Sequence, residues 1–339
     1  MALLEVSDLR TQFRTDDGVV RAVDGVTFSV ERGKTLGIVG ESGSGKSVTC
    51  LTMMGLNDSK KTTSTGSVLL DGDEILGAGQ RKLQEIRGQR IAMIFQDPMT
   101  SLNPVKSIGW QLEEAVLVHK DVTRKQARER AIELLKEVGI PRAEIRVDDY
   151  PHQFSGGMRQ RVMIAMALIN DPEILIADEP TTALDVTTQA QILKLMQKLQ
   201  DEHDTAIIMI THDLGVVAEV ADDVAVMYAG RIVEASGVDQ VFTQPQHPYA
   251  WGLLGSLPRL DAETDRLAQI AGQPPSLLNP PSGCAFHPRC PYVFDRCPAE
   301  VPELREVPAG GHLFRCHLDD AQRLELWKAN PASKVVEAA

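Results

Sequence analysis

Gly40-Glu41-Ser42-Gly43-Ser44-Gly45-Lys46-Ser47 has the form G-x-x-x-x-G-K-S and governs how the rest of the chain is read. Just ahead of it, Thr35 to Val39 is a short apolar run that predicts a buried strand. From Lys46 onward the pattern predicts a helix. A loop of this kind between strand and helix is built to wrap a phosphate chain. Its glycines let the backbone curl so that successive N–H groups face the anion, and the helix adds its positive N-terminal end. Lys46 is placed to reach β- and γ-phosphates, and the Ser47 hydroxyl to ligate Mg²⁺.

Downstream, Ile174-Leu175-Ile176-Ala177 is a second apolar strand, ending in Asp178-Glu179. In open α/β sheets the carboxyl ends of strands are where ligands bind. Asp178 is therefore expected to hold Mg²⁺, and Glu179 to orient or deprotonate an attacking water. Further strands are expected at Val19 to Val30 (as a pair), Ser67 to Leu70, Ile91 to Phe95, Ala206 to Ile210 and Val224 to Tyr228. Helices are expected across Ser107 to Gly139, at Ser155 to Ile169 and at Thr187 to Gln200. Strands alternating with helices imply a mainly parallel α/β core.

The composition of the 339 residues is that of a soluble globular protein, with a formal net charge of -12. That balance argues against a broad nucleic-acid-binding face. No apolar run of about 18 residues predicts a transmembrane helix, and Met1 to Arg10 lacks the pattern of a signal peptide. A cytosolic location is expected, where disulfides are rare and the five cysteines read as core thiols or metal ligands.

Phe154-Ser155-Gly156-Gly157-Met158-Arg159-Gln160-Arg161 separates this chain from other phosphate-loop enzymes. It resembles the signature motif of ABC ATPases. Ser155, Gly156 and Gly157 open a helix and offer backbone N–H groups to an anion. The resemblance spans about residues 3 to 250 and implies an α/β, P-loop ABC-type nucleotide-binding domain with an inserted helical subdomain at about 97–170. It also implies that the signature of one subunit closes over ATP held by another. By the same resemblance Gln96 is the Q-loop glutamine, a Mg²⁺ and water contact. Ala183-Leu184-Asp185 is the D-loop, His212 the histidine that contacts the γ-phosphate, and Phe13 the adenine-stacking residue.

Gln96 to Pro104 and His247-Pro248-Tyr249 resemble the dipeptide and oligopeptide importer branch, whose pattern is shared by importers of nickel, glutathione and some oligosaccharides. The resemblance implies partners: a second ATPase subunit (paralogue or identical chain), two transmembrane permease subunits and an extracytoplasmic substrate-binding protein, at the cytoplasmic face of the membrane. A non-transport ABC ATPase acting on ribosomes or DNA is the competing reading. It is disfavoured by the single cassette, the absence of a long heptad run and the negative charge.

Residues 1–255 are assigned to the ATPase and 256–339 to a small proline-rich module. That module holds Cys284, Cys290, Cys297 and Cys316, spaced C-x5-C-x6-C-x18-C. Four cysteines in a segment poor in amphipathic pattern point to a metal staple or to unpaired thiols. The importer resemblance implies a [4Fe–4S] cluster, with zinc as the alternative and His287, His312 or His317 as substitute ligands. On this reading the loss of one cysteine loosens the tail and spares the P-loop. Cys50, alone on the helix after the P-loop, reads as core.

Overall fold

Runs of Val, Ile and Leu uninterrupted by charge become strands covered on both faces. In the computed structural model, which describes residues 2–96, 101–182, 184–257 and 269–333, the strands are β1 (Ala2–Thr15), β2 (Gly18–Glu31), β3 (Thr35–Val39), β4 (Thr62–Leu70), β5 (Asp73–Glu74), β6 (Ile91–Ile94), β7 (Ile174–Asp178), β8 (Ala206–Thr211), β9 (Asp223–Tyr228), β10 (Arg231–Gly237), β11 (Arg305–Glu306) and β12 (Leu313–Phe314). Every residue of β3, β7 and β8 is buried. Continuous apolar sequence is what two-sided burial requires.

The chain forms two compact units. The first comprises residues 1–30, 35–77 and 210–339. It contains an antiparallel sheet of order β2-β1-β4-β5, and β3, β9, β10, β12 and β11 side by side in that order. β3 runs parallel to β9, with Leu36 opposite Asp223 and Val39 opposite Val226. β10 then returns antiparallel to β9, and β12 pairs with β10 through Glu234–Phe314 and Ala235–Leu313. Val19 to Val30, expected as a strand pair, is one continuous strand. Its loose alternation reflects a half-exposed face, and its hairpin turn lies earlier, at Asp16-Asp17.

Residues 270–333 are richer in core than their sequence implies. Phe286, Leu318, Trp327 and Ala332 join Val39, Tyr228, Tyr249 and Trp251 in one buried cluster. Trp251 and Trp327 lie 5.9 Å apart between ring centroids, and Phe286 meets Tyr228 edge-on at 5.3 Å. Phe314 is fully buried between the guanidinium groups of Arg305 and Arg323, at 4.6 and 3.8 Å. Scattered apolar residues with no helical or strand period supply this packing, so pattern reading undercounts it.

The second unit comprises residues 31–34 and 78–209. β6 runs parallel to β7, with Ile91 opposite Ile174 and Ile94 opposite Ala177, and β8 follows on the far side of β7. Helices Ile108–Leu117, Arg124–Glu137 and Gly156–Leu168 pack on one another. Ser107 to Gly139, expected as helical, is thus two helices. Thr123 and Gln126 restart the chain with a capping box. Helix Val186–His203 follows β7, close to its expected limits. Among the described residues no helix is long and apolar enough to cross a membrane.

Candidate nucleotide-binding site

In the first unit β3 delivers the chain into the loop, and helix Lys46–Met53 leaves it. The two bounding glycines are steric necessities. A Cβ on Gly40 (φ +153°) would lie 2.2 Å from the Met227 carbonyl oxygen, and one on Gly45 (φ +104°) 2.3 Å from that of Ala22. Lys46 is buried, and its Nζ donates to the carbonyls of Gly40 (2.6 Å) and Glu41 (3.0 Å). Ser44 Oγ is buried and makes no hydrogen bond, as expected where a ligand oxygen completes the shell. Ser42 and Gly43 are exposed and Ser47 is half-buried at the helix start. The loop thus fits a polyphosphate in backbone shape, charge and unfilled polar capacity.

Phe13 is half-buried on β1, opposite Thr62 of β4. His212 is exposed just beyond β8, and Asp213 caps the next helix by accepting from the N–H groups of Gly215 and Val216. His247 and Tyr249 both serve the interior. His247 caps helix Pro248–Gly255, accepting from the Tyr249 N–H at 3.0 Å, and burial drops its pKa to about 3, so it is neutral. The Tyr249 hydroxyl accepts from the Glu41 N–H at 2.8 Å. Glu41 also receives two bonds from Arg289 (2.6 and 3.0 Å), which sequence reading missed because the partners lie 248 positions apart.

In the second unit β7 ends on Asp178, which is buried, and Glu179 follows with φ +48°. Glu179 Oε2 accepts from Gln96 Nε2 at 3.0 Å and from Thr182 Oγ1 at 2.9 Å. The structure therefore brings Gln96, the expected Q-loop glutamine, to the expected base, although the two are 83 residues apart. Ser155 caps helix Gly156–Leu168, accepting from the Met158 N–H, and Gly156 lies exposed with open space around it. Gly157 packs close to Thr188, where a Cβ would lie 2.9 Å from its methyl group. Asp185 is exposed and caps helix Val186–His203. Bonds from the Thr188 N–H (2.9 Å) and hydroxyl (2.7 Å) hold its carboxyl below the usual range. Residues 97–100 of the importer-like stretch, and Ala183, lie outside the described residues.

Cys50 is fully buried, as expected of a core thiol. Cys284, Cys290, Cys297 and Cys316 are all free, and the Cys284 N–H donates to the Cys297 carbonyl at 2.8 Å. Burial, reinforced by the neighbouring cysteines, pushes Cys290 up to about 12 and Cys316 to about 11, and raises Cys284 as well. Among the described residues no three His, Cys, Asp or Glu side chains stand in a metal-holding arrangement. By donor type alone, four thiols suit a soft metal or an iron–sulfur group, whose binding would displace their protons. The three histidines are engaged elsewhere. His312 Nε2 lies 2.7 Å from buried Glu234, His287 Nδ1 faces the Cys284 carbonyl, and His317 Nε2 the Glu300 carbonyl.

Strand-loop-helix phosphate cradle, acidic strand end and glycine-opened signature helix together define an ABC-type ATPase. The ABC transporter family matches residues 23–182, and the family of the oligopeptide/dipeptide transporter C-terminal region matches residues 233–297. The chain is 56% identical over 306 residues to the dipeptide transport ATP-binding protein DppD of Lactococcus lactis, covering 90% of this chain and 88% of that one. It is 53% identical over 309 residues to the oligopeptide transport ATP-binding protein OppD of Escherichia coli, covering 91% of each. Among solved structures, the dimeric bacterial ABC transporter cassette MJ0796 aligns with a TM-score of 0.62 at 28% identity, over 69% of this chain and 98% of that one. The chain belongs to the dipeptide/oligopeptide branch of the ABC transporter ATP-binding proteins.

Proposed function

We propose that this chain is the ATP-hydrolysing subunit of an ABC importer, coupling ATP binding and hydrolysis at a subunit interface to uptake of di- and oligopeptides. The observation that carries the reading is similarity above 50% along nine-tenths of the chain to dipeptide and oligopeptide transport ATP-binding proteins. The expected partners are a second ATPase subunit, two permease subunits and an extracytoplasmic binding protein, with this chain peripheral to the cytoplasmic face of the membrane. Residues 1–255 would serve as the ATPase, with the helices of about 97–170 as its signature-bearing part, and 256–339 as the accessory module.

The residue roles follow from the chemistry at each position. Gly40, Ser42, Gly43, Ser44 and Gly45 wrap the phosphates with backbone N–H groups, and Lys46 supplies the compensating charge. Ser47, Asp178 and Gln96 would hold Mg²⁺, which would supply neutralising charge to the phosphates. Glu179 takes the proton of the attacking water, oriented by the Gln96 and Thr182 bonds that the carboxylate accepts. His212 contacts the γ-phosphate and Phe13 stacks on adenine. Ser155, Gly156, Gly157 and Asp185 act on the nucleotide of the partner subunit. Tagged protein purified from its native membrane should bring two permeases and a second ATPase. Recovery of a ribosome or DNA complex instead would sink the transport reading.

Cys284, Cys290, Cys297 and Cys316 are assigned to one [4Fe–4S] cluster with a structural role. The support is four free cysteines within one 33-residue stretch, three of them half-buried and Cys297 buried. Anaerobic protein should contain about four irons with matching sulfide per chain. Stoichiometric zinc in a colourless preparation would reject the cluster.

A further inference from the structure

Every polar part of Glu41 is engaged. Its N–H donates to the Tyr249 hydroxyl at 2.8 Å, its carbonyl accepts from Lys46 Nζ at 3.0 Å, and its carboxylate accepts two bonds from Arg289. Arg289 comes from the far end of the sequence, in the short 3-10 turn His287–Arg289 that directly precedes Cys290. Its side chain is only 4% exposed. The remaining donors are also directed, to the carbonyls of Ala271 (2.9 Å) and Ile270 (3.4 Å) and to the Tyr228 hydroxyl (3.3 Å). A planar guanidinium fixed on so many sides holds a carboxylate in one orientation, which a lysine ammonium does not.

Glu41 is the second residue of the phosphate loop, and its backbone carbonyl is one of the two that aim Lys46. We propose that Arg289 is a positioning residue of the nucleotide site. By gripping Glu41 it sets the loop turn on which Lys46 rests, and so makes the cysteine-bearing segment a determinant of ATP affinity. The inference rests on the ATPase reading above and assigns to Arg289 no contact with nucleotide. It runs against the expectation that loosening the tail spares the P-loop, since Arg289 is adjacent to Cys290 and joined to the loop directly.

Lys46 acts on the phosphates before and during reaction alike, so misplacing it weakens binding more than turnover. The test uses the intact transporter, purified anaerobically, with ATP hydrolysis kinetics and the affinity of a fluorescent ATP analogue as readouts. Arg289→Gln and Glu41→Gln should each raise KM and the analogue's Kd about tenfold, the size of one lost charge-assisted contact, with kcat within about twofold. The double variant should be no worse than Arg289→Gln alone, because both changes remove the same Arg289–Glu41 contact. Arg289→Lys should recover part of the affinity. Glu41→Gln changes no residue of the cysteine segment, so an unchanged melting temperature and far-UV spectrum in it separate positioning from loss of fold. Unchanged affinity in Glu41→Gln, or additive losses in the double variant, would overturn the proposal. A wild-type complex that binds the analogue without hydrolysing ATP would instead refute the proposed function, and the affinity comparison would still decide the role of Arg289.

Discussion

At Glu179 the backbone sits at φ +48°, which side-chain-bearing residues rarely adopt, and its carboxylate is held by Gln96 and Thr182. Local strain fixed by surrounding bonds is a common feature of functional positions. Glu179→Gln keeps the shape and loses the base, so ATP binding should survive while steady-state hydrolysis falls by roughly a hundredfold or more. Near-normal turnover would remove Glu179 from its role. Gly45 tests the other half of the chemistry. Alanine there would drive a Cβ to 2.3 Å from the Ala22 carbonyl and strain a φ of +104°. Gly45→Ala should abolish ATP-analogue binding in a titration, and wild-type affinity would contradict the loop geometry. Both residues are legible in the sequence because the motif fixes their type and order. The Arg289–Glu41 pair is not, because an ion pair between such distant positions leaves no local pattern.

Among the elements, the strands buried on both faces were the easiest to read. β3, β7, β8 and β9 fall close to their expected limits because their apolar runs have no competing period. The tail was the hardest: its prolines mark irregular backbone, while the packing of Phe286, Phe314 and Trp327 depends on tertiary contacts that sequence spacing does not encode. The loop entering β7 carries an electrostatic clamp of the same hidden kind. Burial pushes the Glu173 carboxyl up, but bonds from Arg90 and from Arg32 (2.9 Å) outweigh it, and its pKa is lowered overall. A depressed carboxylate contributes stability that is complete above its unfolded pKa and is lost as pH falls through the folded value. The melting temperature should therefore drop on acidification below about pH 4.5, with a shallower drop in Glu173→Gln. Identical acid limbs in the two proteins would exclude the clamp as a contributor.

For the whole molecule, the proposed function makes hydrolysis a property of two chains. A P-loop defect in one ATPase subunit and a signature defect in the other should leave one composite site working, so such a mixed complex should retain partial hydrolysis. Placing both defects in one subunit should leave no complete composite site and abolish hydrolysis. Equal rates in the two arrangements would reject composite sites. The most direct test of the central claim is peptide uptake into proteoliposomes holding the assembled importer, with ATP on the side of this subunit and binding protein on the other. Uptake and peptide-stimulated hydrolysis should appear together in the wild type and vanish together in Lys46→Ala. ATP-dependent uptake that persists in Lys46→Ala, or hydrolysis with no uptake of any di- or oligopeptide, would contradict it.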